Sequence, residues 1–147
     1  MSLLIKRQTA GQTLVQLPEG ALEYVGFSAY QLAAGERLPV SAGDHELCLV
    51  LLGGRVTVTG EEPGQGAFSW ENIGDRHSVF EDKSPFAVYL PPGSQAQVLA
   101  LSEVQIAVCS APGSASAGLG ARLIKPEAMK RSVRGKGANT RYVCDIL

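Results

Sequence analysis

Glycine and proline divide this chain into strand-length pieces, and no other sequence feature constrains its fold as strongly. The 17 glycines and 8 prolines among 147 residues recur at short intervals, and no long segment has the 3.6-residue hydrophobic period of an amphipathic helix. The pieces between them either alternate between apolar and polar residues or are apolar throughout, as strands do. Turns at a spacing of about 6 to 12 residues predict an all-β protein, an antiparallel β-sandwich or small barrel of the jelly-roll type.

Eight segments have the pattern of a strand, and one helical turn is predicted to begin at Pro126. The predicted strands are 24–32, 46–52, 55–60, 67–74, 86–90, 95–101, 104–110 and 141–146. Polar connections are expected at 60–66 and 74–85, the second anchored by Val79 and Phe80.

The run at residues 46–52, "ELCLVLL", predicts a strand that is buried on both faces, because it is apolar after its first residue. Gly53 and Gly54 follow it, and glycine adopts a positive φ without steric cost. Residues 55–60, "RVTVTG", alternate, so that Val56 and Val58 are expected to point inward. The three features together predict a β-hairpin.

Composition excludes several classes of protein. Hydrophobic residues make up 45% and charged residues 18% of the chain, which fits one folded domain rather than a disordered segment. The net charge of -1 gives no reason to expect nucleic acid, and no run reaches the roughly 18 apolar residues that cross a membrane. Three cysteines in apolar runs, without a CxxC pair, favour free thiols and a cytoplasmic location.

The end of the chain differs in character from the rest. Residues 111–121, "APGSASAGLGA", are small and predict a flexible linker. Residues 122–147 then carry seven of the 13 Lys and Arg residues in less than a fifth of the length. These are Arg122, Lys125, Lys130, Arg131, Arg134, Lys136 and Arg141. Because the last predicted strand runs almost to Leu147, and domains rarely end inside a strand, we expect the native gene product to continue.

Two spaced motifs resemble the paired motifs of the cupin family of small barrels. Glu46 is separated by six residues from Gly53, and Pro91 and Gly93 follow later as Pro-x-Gly. In metal-binding cupins the first motif also carries His-x-His before the glutamate, and the second carries a histidine three residues after the glycine. The position three residues after Gly93 is Ala96 in this chain.

The histidines of this chain do not complete such a site. His45 is adjacent to Glu46, and adjacent residues of a strand point to opposite faces. The other histidine, His77, lies in a polar connection. Since catalytic metals usually take two or three imidazoles on one side of a barrel, we predict no metal site and no cofactor in this chain. Glu46 is expected to open a core strand, and His45 to be a loop or rim residue.

A closer resemblance covers nearly the whole chain. The segments "ENIGDRHSVFE" (71–81) and "RGKGANTRYVCDIL" (134–147) are its most specific parts. They resemble the N-terminal half of the 5-deoxy-glucuronate isomerases of myo-inositol catabolism. The 5-keto-4-deoxyuronate isomerases of pectin breakdown share the architecture and are less similar.

The resemblance implies a protein of two cupins that interconverts 5-deoxy-glucuronate and its keto isomer. Residues 1–111 would be a degenerate N-terminal cupin domain, and residues 112–147 a linker and strand leading to a second cupin that is absent from this chain. The histidine-rich metal motif of the family lies in that second cupin, so a divalent metal, zinc being one candidate, is expected there. By itself the chain is expected to be inactive, and none of its residues is assigned as catalytic.

The substrate of that reaction is a small sugar acid, and a guanidinium can bind its carboxylate with two hydrogen bonds. Arg134 and Arg141 are the candidates for this contact, because they lie in the segment that leads to the missing half. The competing interpretation is that both make salt bridges at a domain interface or face water. A homo-oligomer is expected, with neither nucleic acid nor membrane as a partner.

Other conspicuous residues are expected to have structural roles. Packing in the core or between barrels is predicted for three aromatic residues, Phe68, Trp70 and Phe80. A solvated charged cluster in a turn is predicted for Glu71, Asp75 and Arg76. Asn72 is predicted to cap a turn.

Two alternatives from other classes remain open. The chain could be a non-catalytic cupin that binds a small molecule or mediates oligomerisation. It could also bind nucleic acid through residues 122–147, although Tyr142 is the single aromatic residue of that segment and stacking on bases uses several.

Overall fold

The computed structural model describes residues 4–113 and 118–147, and within these ranges it contains strands and two short 3₁₀ turns. The strands are β1 (Thr13–Gln16), β2 (Gly26–Leu32), β3 (Arg37–Ser41), β4 (His45–Gly53), β5 (Val56–Glu62), β6 (Gly66–Ile73), β7 (Ala87–Leu90), β8 (Gln95–Ala100), β9 (Val104–Pro112), β10 (Arg122–Ile124), β11 (Lys130–Arg134) and β12 (Arg141–Asp145). The 3₁₀ turns are Pro126–Ala128 and Gly137–Asn139. The helical turn predicted at Pro126 is confirmed, and β1, β3, β10 and β11 lie outside the predicted strands.

Two antiparallel sheets face each other. The six-stranded sheet has the order β1-β2-β9-β4-β7-β10, and the four-stranded sheet has the order β3-β8-β5-β6. The predicted all-β, cupin-like antiparallel sandwich is confirmed, and it is a sandwich rather than a closed barrel, because no strand pairing links the two sheets within 4–113 and 118–147. None of the helical segments in these ranges has the length and hydropathy of a membrane-crossing helix.

The core between the sheets follows from strand alternation. Leu47, Leu49 and Leu51 of β4 point toward the four-stranded sheet, where Val56 and Val58 meet them. Both valines are almost fully buried, as predicted. Phe68 and Trp70 of β6 pack against this core and stack on each other with their ring centroids 4.8 Å apart. Their predicted packing role is therefore confirmed.

The predicted hairpin between residues 46–52 and 55–60 is wrong. β4 pairs with β7 and β9, whereas β5 pairs with β6 and β8, so Gly53 and Gly54 carry the chain from one sheet to the other. A strand with two apolar faces needs cover on both sides and neighbours at both edges, and a two-stranded hairpin supplies neither. The hairpin of this region joins β5 to β6 instead, which shortens the predicted polar connection at 60–66.

The connection at 74–85 is not anchored by the two residues that were predicted to anchor it. Val79 and Phe80 do not anchor it, since their side chains are 49% and 94% exposed. Arg76, expected in a solvated turn, instead donates hydrogen bonds to the carbonyls of Leu51, Leu52 and Lys83. A guanidinium that binds three carbonyls fastens the connection to the end of β4.

Asn72 does not cap a turn. It lies in β6 with a φ of 52°, at a β-bulge where three steps along β6 oppose two along β5. Asparagine tolerates this left-handed region better than most residues. The Asn72 backbone N–H donates to the Thr57 hydroxyl at 3.3 Å.

The C-terminal arm, residues 126–147, covers the outer face of the six-stranded sheet. Met129 is buried there against Cys48, Val50 and Ala87. Among the described strands, β11 and β12 pair only with each other. The predicted linker at 111–121 lies partly outside the described residues, and the predicted domain boundary after residue 111 stays a prediction. β10, beyond that boundary, pairs with β7 at the edge of the six-stranded sheet.

Candidate functional site

One concave feature of the described residues is a cleft of about 420 Å³ at one end of the sandwich, between the two sheets. Inward-facing positions of β2, β4 and β9 form one wall, and β3 forms the other. The loop at residues 17–25 closes the side. Because inward and outward side chains alternate along a strand, every second residue at the cleft end of β4 and β9 reaches the cleft.

Three residues with hydroxyl groups line the cleft from the six-stranded sheet. Ser28 and Tyr30 lie on β2, and Ser110 lies on the neighbouring strand β9. Gly26 is paired with Ser110, and a Cβ at Gly26 would lie 2.3 Å from the Ser110 hydroxyl oxygen. The absence of a side chain at Gly26 therefore makes room for the Ser110 hydroxyl.

His45 stands at the rim of the cleft. It is the first residue of β4, its side chain is 46% exposed, and its Nδ1 lies 2.7 Å from an oxygen of Asp44. This carboxylate orients the ring and leaves Nε2 as the nitrogen without a protein partner in the described ranges. The placement of His45 at a rim agrees with the prediction.

Glu46 belongs to the opposite face of β4. Its carboxylate accepts a hydrogen bond of 2.9 Å from the Tyr89 hydroxyl, and the Arg122 guanidinium lies 5.5 Å from the centre of the Tyr89 ring. Burial, and after it the bond to Glu46, raises the pKa of Tyr89. Strand alternation thus separates His45 from Glu46, as expected.

The residues that the structure describes do not fit a divalent metal. Within these ranges no group of three His, Cys, Asp or Glu side chains converges. The glutamate at the position of the cupin ligand points away from the space between the sheets, and His77 is exposed in the 74–85 connection. No reaction step through a metal is therefore derived for this chain.

The three cysteines lie on the outer side of the six-stranded sheet. Cys48 and Cys109 are directly opposite each other on β4 and β9, and Cys144 of the arm packs against the same cluster. Burial, with a smaller contribution from Cys109, raises the pKa of the Cys48 thiol to about 11. Burial also raises the pKa of Cys109. Since the thiolate is the nucleophile, both side chains act as small apolar residues at neutral pH.

Arg134 and Arg141 are brought together by the arm. They are directly opposite each other at the end of the β11–β12 ladder, and both are exposed. Neither guanidinium has a hydrogen-bond or ion-pair partner in the described part of the chain. Like charges at directly opposed positions destabilise a strand pair, so an anion between or beside them would be stabilising. Neither residue lines the cleft.

The sequence carries no motif that marks the cleft or its hydroxyl groups. Ser28, Tyr30 and Ser110 stand in ordinary alternating strands, far apart in the sequence, and carry no motif. The one local signal was Gly26, a glycine in a strand, which often marks the close approach of another group.

The chain is similar to known proteins over nearly all of its length. A sequence model described as the KduI/IolB family matches residues 3–147. The 5-deoxy-glucuronate isomerase of Geobacillus kaustophilus is 41% identical over 85% of the chain. That of Geobacillus thermodenitrificans is 39% identical over 93% of the chain. The chain spans only 43% and 48% of these two proteins, about half their length.

Solved structures agree with the fold. An IolB-like protein from Salmonella typhimurium has a TM-score of 0.87 and 36% identity, with 99% of this chain and 54% of that one covered. A mutant of the oxalate decarboxylase of Bacillus subtilis has a TM-score of 0.57 at 14% identity. At that identity the likeness shows the two-sheet fold alone.

Proposed function

Because this chain belongs to the KduI/IolB family, we propose that it forms the N-terminal half of an isomerase that interconverts 5-deoxy-glucuronate and its keto isomer. The observation that carries the proposal is the 41% identity to a 5-deoxy-glucuronate isomerase of which the chain spans 43%. The remaining half of such a protein would hold the second cupin.

The reaction sets the requirements for that second half. An aldose–ketose isomerisation needs a base that moves a proton between adjacent carbons and a group that stabilises the enediolate charge. The described residues of this chain do not fit a metal, so we assign the metal that the resemblance implies, zinc being one candidate, to the other half. The sandwich described here would support that half.

The activity is tested by comparing two polypeptides. Purified 147-residue chain and the complete product of the native gene are assayed for conversion of 5-deoxy-glucuronate, with metal content measured in both. We expect turnover and bound metal in the complete protein and neither in the chain alone. Turnover by the chain alone, or a complete protein without activity, would contradict the proposal.

Arg134 and Arg141 are proposed to bind the substrate carboxylate in the complete protein. Their support is that the two exposed guanidinium groups are opposed and have no partner among residues 4–113 and 118–147. A hydrogen bond to a charged group contributes about 1.5–3 kcal/mol, so Arg134→Ala or Arg141→Ala should lower kcat/KM about 10- to 100-fold, mainly through KM.

The matched control for these variants is Arg55→Ala, which removes an exposed arginine that lies outside the C-terminal arm. It should leave both kinetic constants unchanged. Unchanged constants in both arm variants would end the assignment and favour the alternative in which these arginines face water or a domain interface.

The complete protein is also proposed to be a homo-oligomer and to be located in the cytoplasm. Its support is the exposed apolar surface of Phe80, Val133 and Tyr142, together with three free thiols. Light scattering after gel filtration measures the mass of the complete protein, and a monomer over a wide concentration range would contradict the oligomer.

A further inference from the structure

We propose that the cleft between the two sheets binds a small neutral sugar of the hexose class, by hydroxyl recognition and without a metal. This site is separate from the isomerase reaction. It uses residues of this chain alone and does not depend on the proposed function.

The hydrogen-bonding groups of the cleft carry the first part of the inference. Ser28, Tyr30 and Ser110 are half-buried and line the same cleft, and their hydroxyls have no protein hydrogen-bond partner in the described ranges. A hydroxyl both donates and accepts, so three of them match the donor and acceptor pattern of a polyhydroxylated ligand. At the rim, Nε2 of His45 adds a further acceptor while Nδ1 is held by Asp44.

The opposite wall supplies apolar contacts. Leu38 and Val40 of β3 face the hydroxyl groups across the cleft, and the Tyr30 ring belongs to the lining as well. Sugars present C–H faces beside their hydroxyl groups, and aromatic and aliphatic side chains pack on such faces. The volume of about 420 Å³ lies within the range of small-molecule sites, roughly 300–1,000 Å³.

Charge selects a neutral sugar over a sugar acid. No Lys or Arg occurs among the described residues that line the cleft, whereas Glu19 and Glu23 both do. A ligand carboxylate would meet two like charges and no guanidinium or ammonium. The cleft therefore favours a neutral ligand, whereas the exposed cations Arg134 and Arg141 of the arm favour an anion.

The test uses a matched pair of sugars on the purified 147-residue chain. D-glucose and D-glucuronate differ only at C6, where a CH₂OH group replaces a carboxylate. Binding is measured at neutral pH by chemical-shift titration. We expect saturable glucose binding with a dissociation constant in the millimolar range, and glucuronate binding at least about fivefold weaker because of the two glutamates.

Variants locate the site. Ser110→Ala and His45→Gln should each weaken glucose binding about fivefold, the usual effect of one hydrogen bond. Ser69→Ala, an exposed hydroxyl on β6 outside the cleft, should leave it unchanged. The proposal is overturned if the chemical shifts do not approach saturation at glucose concentrations up to about 50 mM, or if glucuronate binds as tightly as glucose. It is also overturned if both cleft variants bind glucose as tightly as Ser69→Ala does. An inactive complete protein would not affect these outcomes.

Discussion

The roles of individual residues in this protein depend on contacts with residues that are distant in the sequence. Gly54 has a φ of +93°, and a Cβ there would lie 2.2 Å from the carbonyl oxygen of Glu103. Arg76 binds the carbonyls at the end of β4, although its neighbours in sequence indicate a solvated turn. In both cases the reason for the residue is a backbone segment from another part of the chain.

Gly54→Ala tests the close approach at the crossing between the sheets. The added methyl group has both an unfavourable φ and a backbone overlap, so we expect a loss of about 3 kcal/mol or more in the free energy of unfolding. Gly64→Ala is the control, since Gly64 has a φ of +76° but no atom of the described residues within 4 Å of its Cβ position. It should cost only about 1 kcal/mol, from backbone strain. If urea unfolding gives equal losses of unfolding free energy for the two variants, the backbone overlap at Gly54 does not contribute to the loss.

At the scale of elements, β4 and the C-terminal arm depend on each other. β4 is buried on both faces because the four-stranded sheet covers one and the arm covers the other. The arm is held at its base, where Met129 is 7% exposed, while Val133 and Tyr142 farther along are 63% and 81% exposed. A two-stranded hairpin is marginally stable in isolation, so the contacts at the base hold the arm in place.

Met129→Ala should release the base of the arm. Removing a buried methionine side chain costs about 2–5 kcal/mol, and the arm should also become more sensitive to trypsin, which cleaves after its Lys and Arg residues. Val133→Ala changes an exposed side chain of the same arm and should cost less than about 0.5 kcal/mol. If the two variants unfold at the same urea concentration, packing at the base does not hold the arm.

At the scale of the whole molecule, the six-stranded sheet is the middle one of three layers. The six-stranded sheet packs against the four-stranded sheet on its inner side and against the arm on its outer side. Alternate residues of β4 belong to the two different clusters, so neither cluster can open without exposing the apolar side chains of this strand. A single cooperative unit follows from this arrangement.

Unfolding should therefore be a single transition by probes in different layers. Trp70, the only tryptophan, reports on the four-stranded sheet through its fluorescence, and far-ultraviolet circular dichroism reports on all the strands. We expect the two urea transitions to coincide within error. Two separate midpoints would mean that the layers unfold independently.

Local sequence patterns were enough to predict which residues share a face and which family the chain belongs to. Alternation placed Val56 and Val58 inward and separated His45 from Glu46, because the period of two is a local property of an extended backbone. The family resemblance, carried most specifically by residues 71–81 and 134–147, is confirmed. The predicted roles of Arg134 and Arg141 stay predictions.

The neighbours of each strand, and the polar groups that line one cleft together, are visible in the folded chain and not in the sequence pattern. β4 and β5 are adjacent in sequence yet belong to different sheets, and Ser28 and Ser110 are distant in sequence yet line one cleft. Strand pairing satisfies backbone hydrogen bonds that are the same for every residue, so it leaves little local trace in the side-chain pattern. The packing of the whole chain selects the partners.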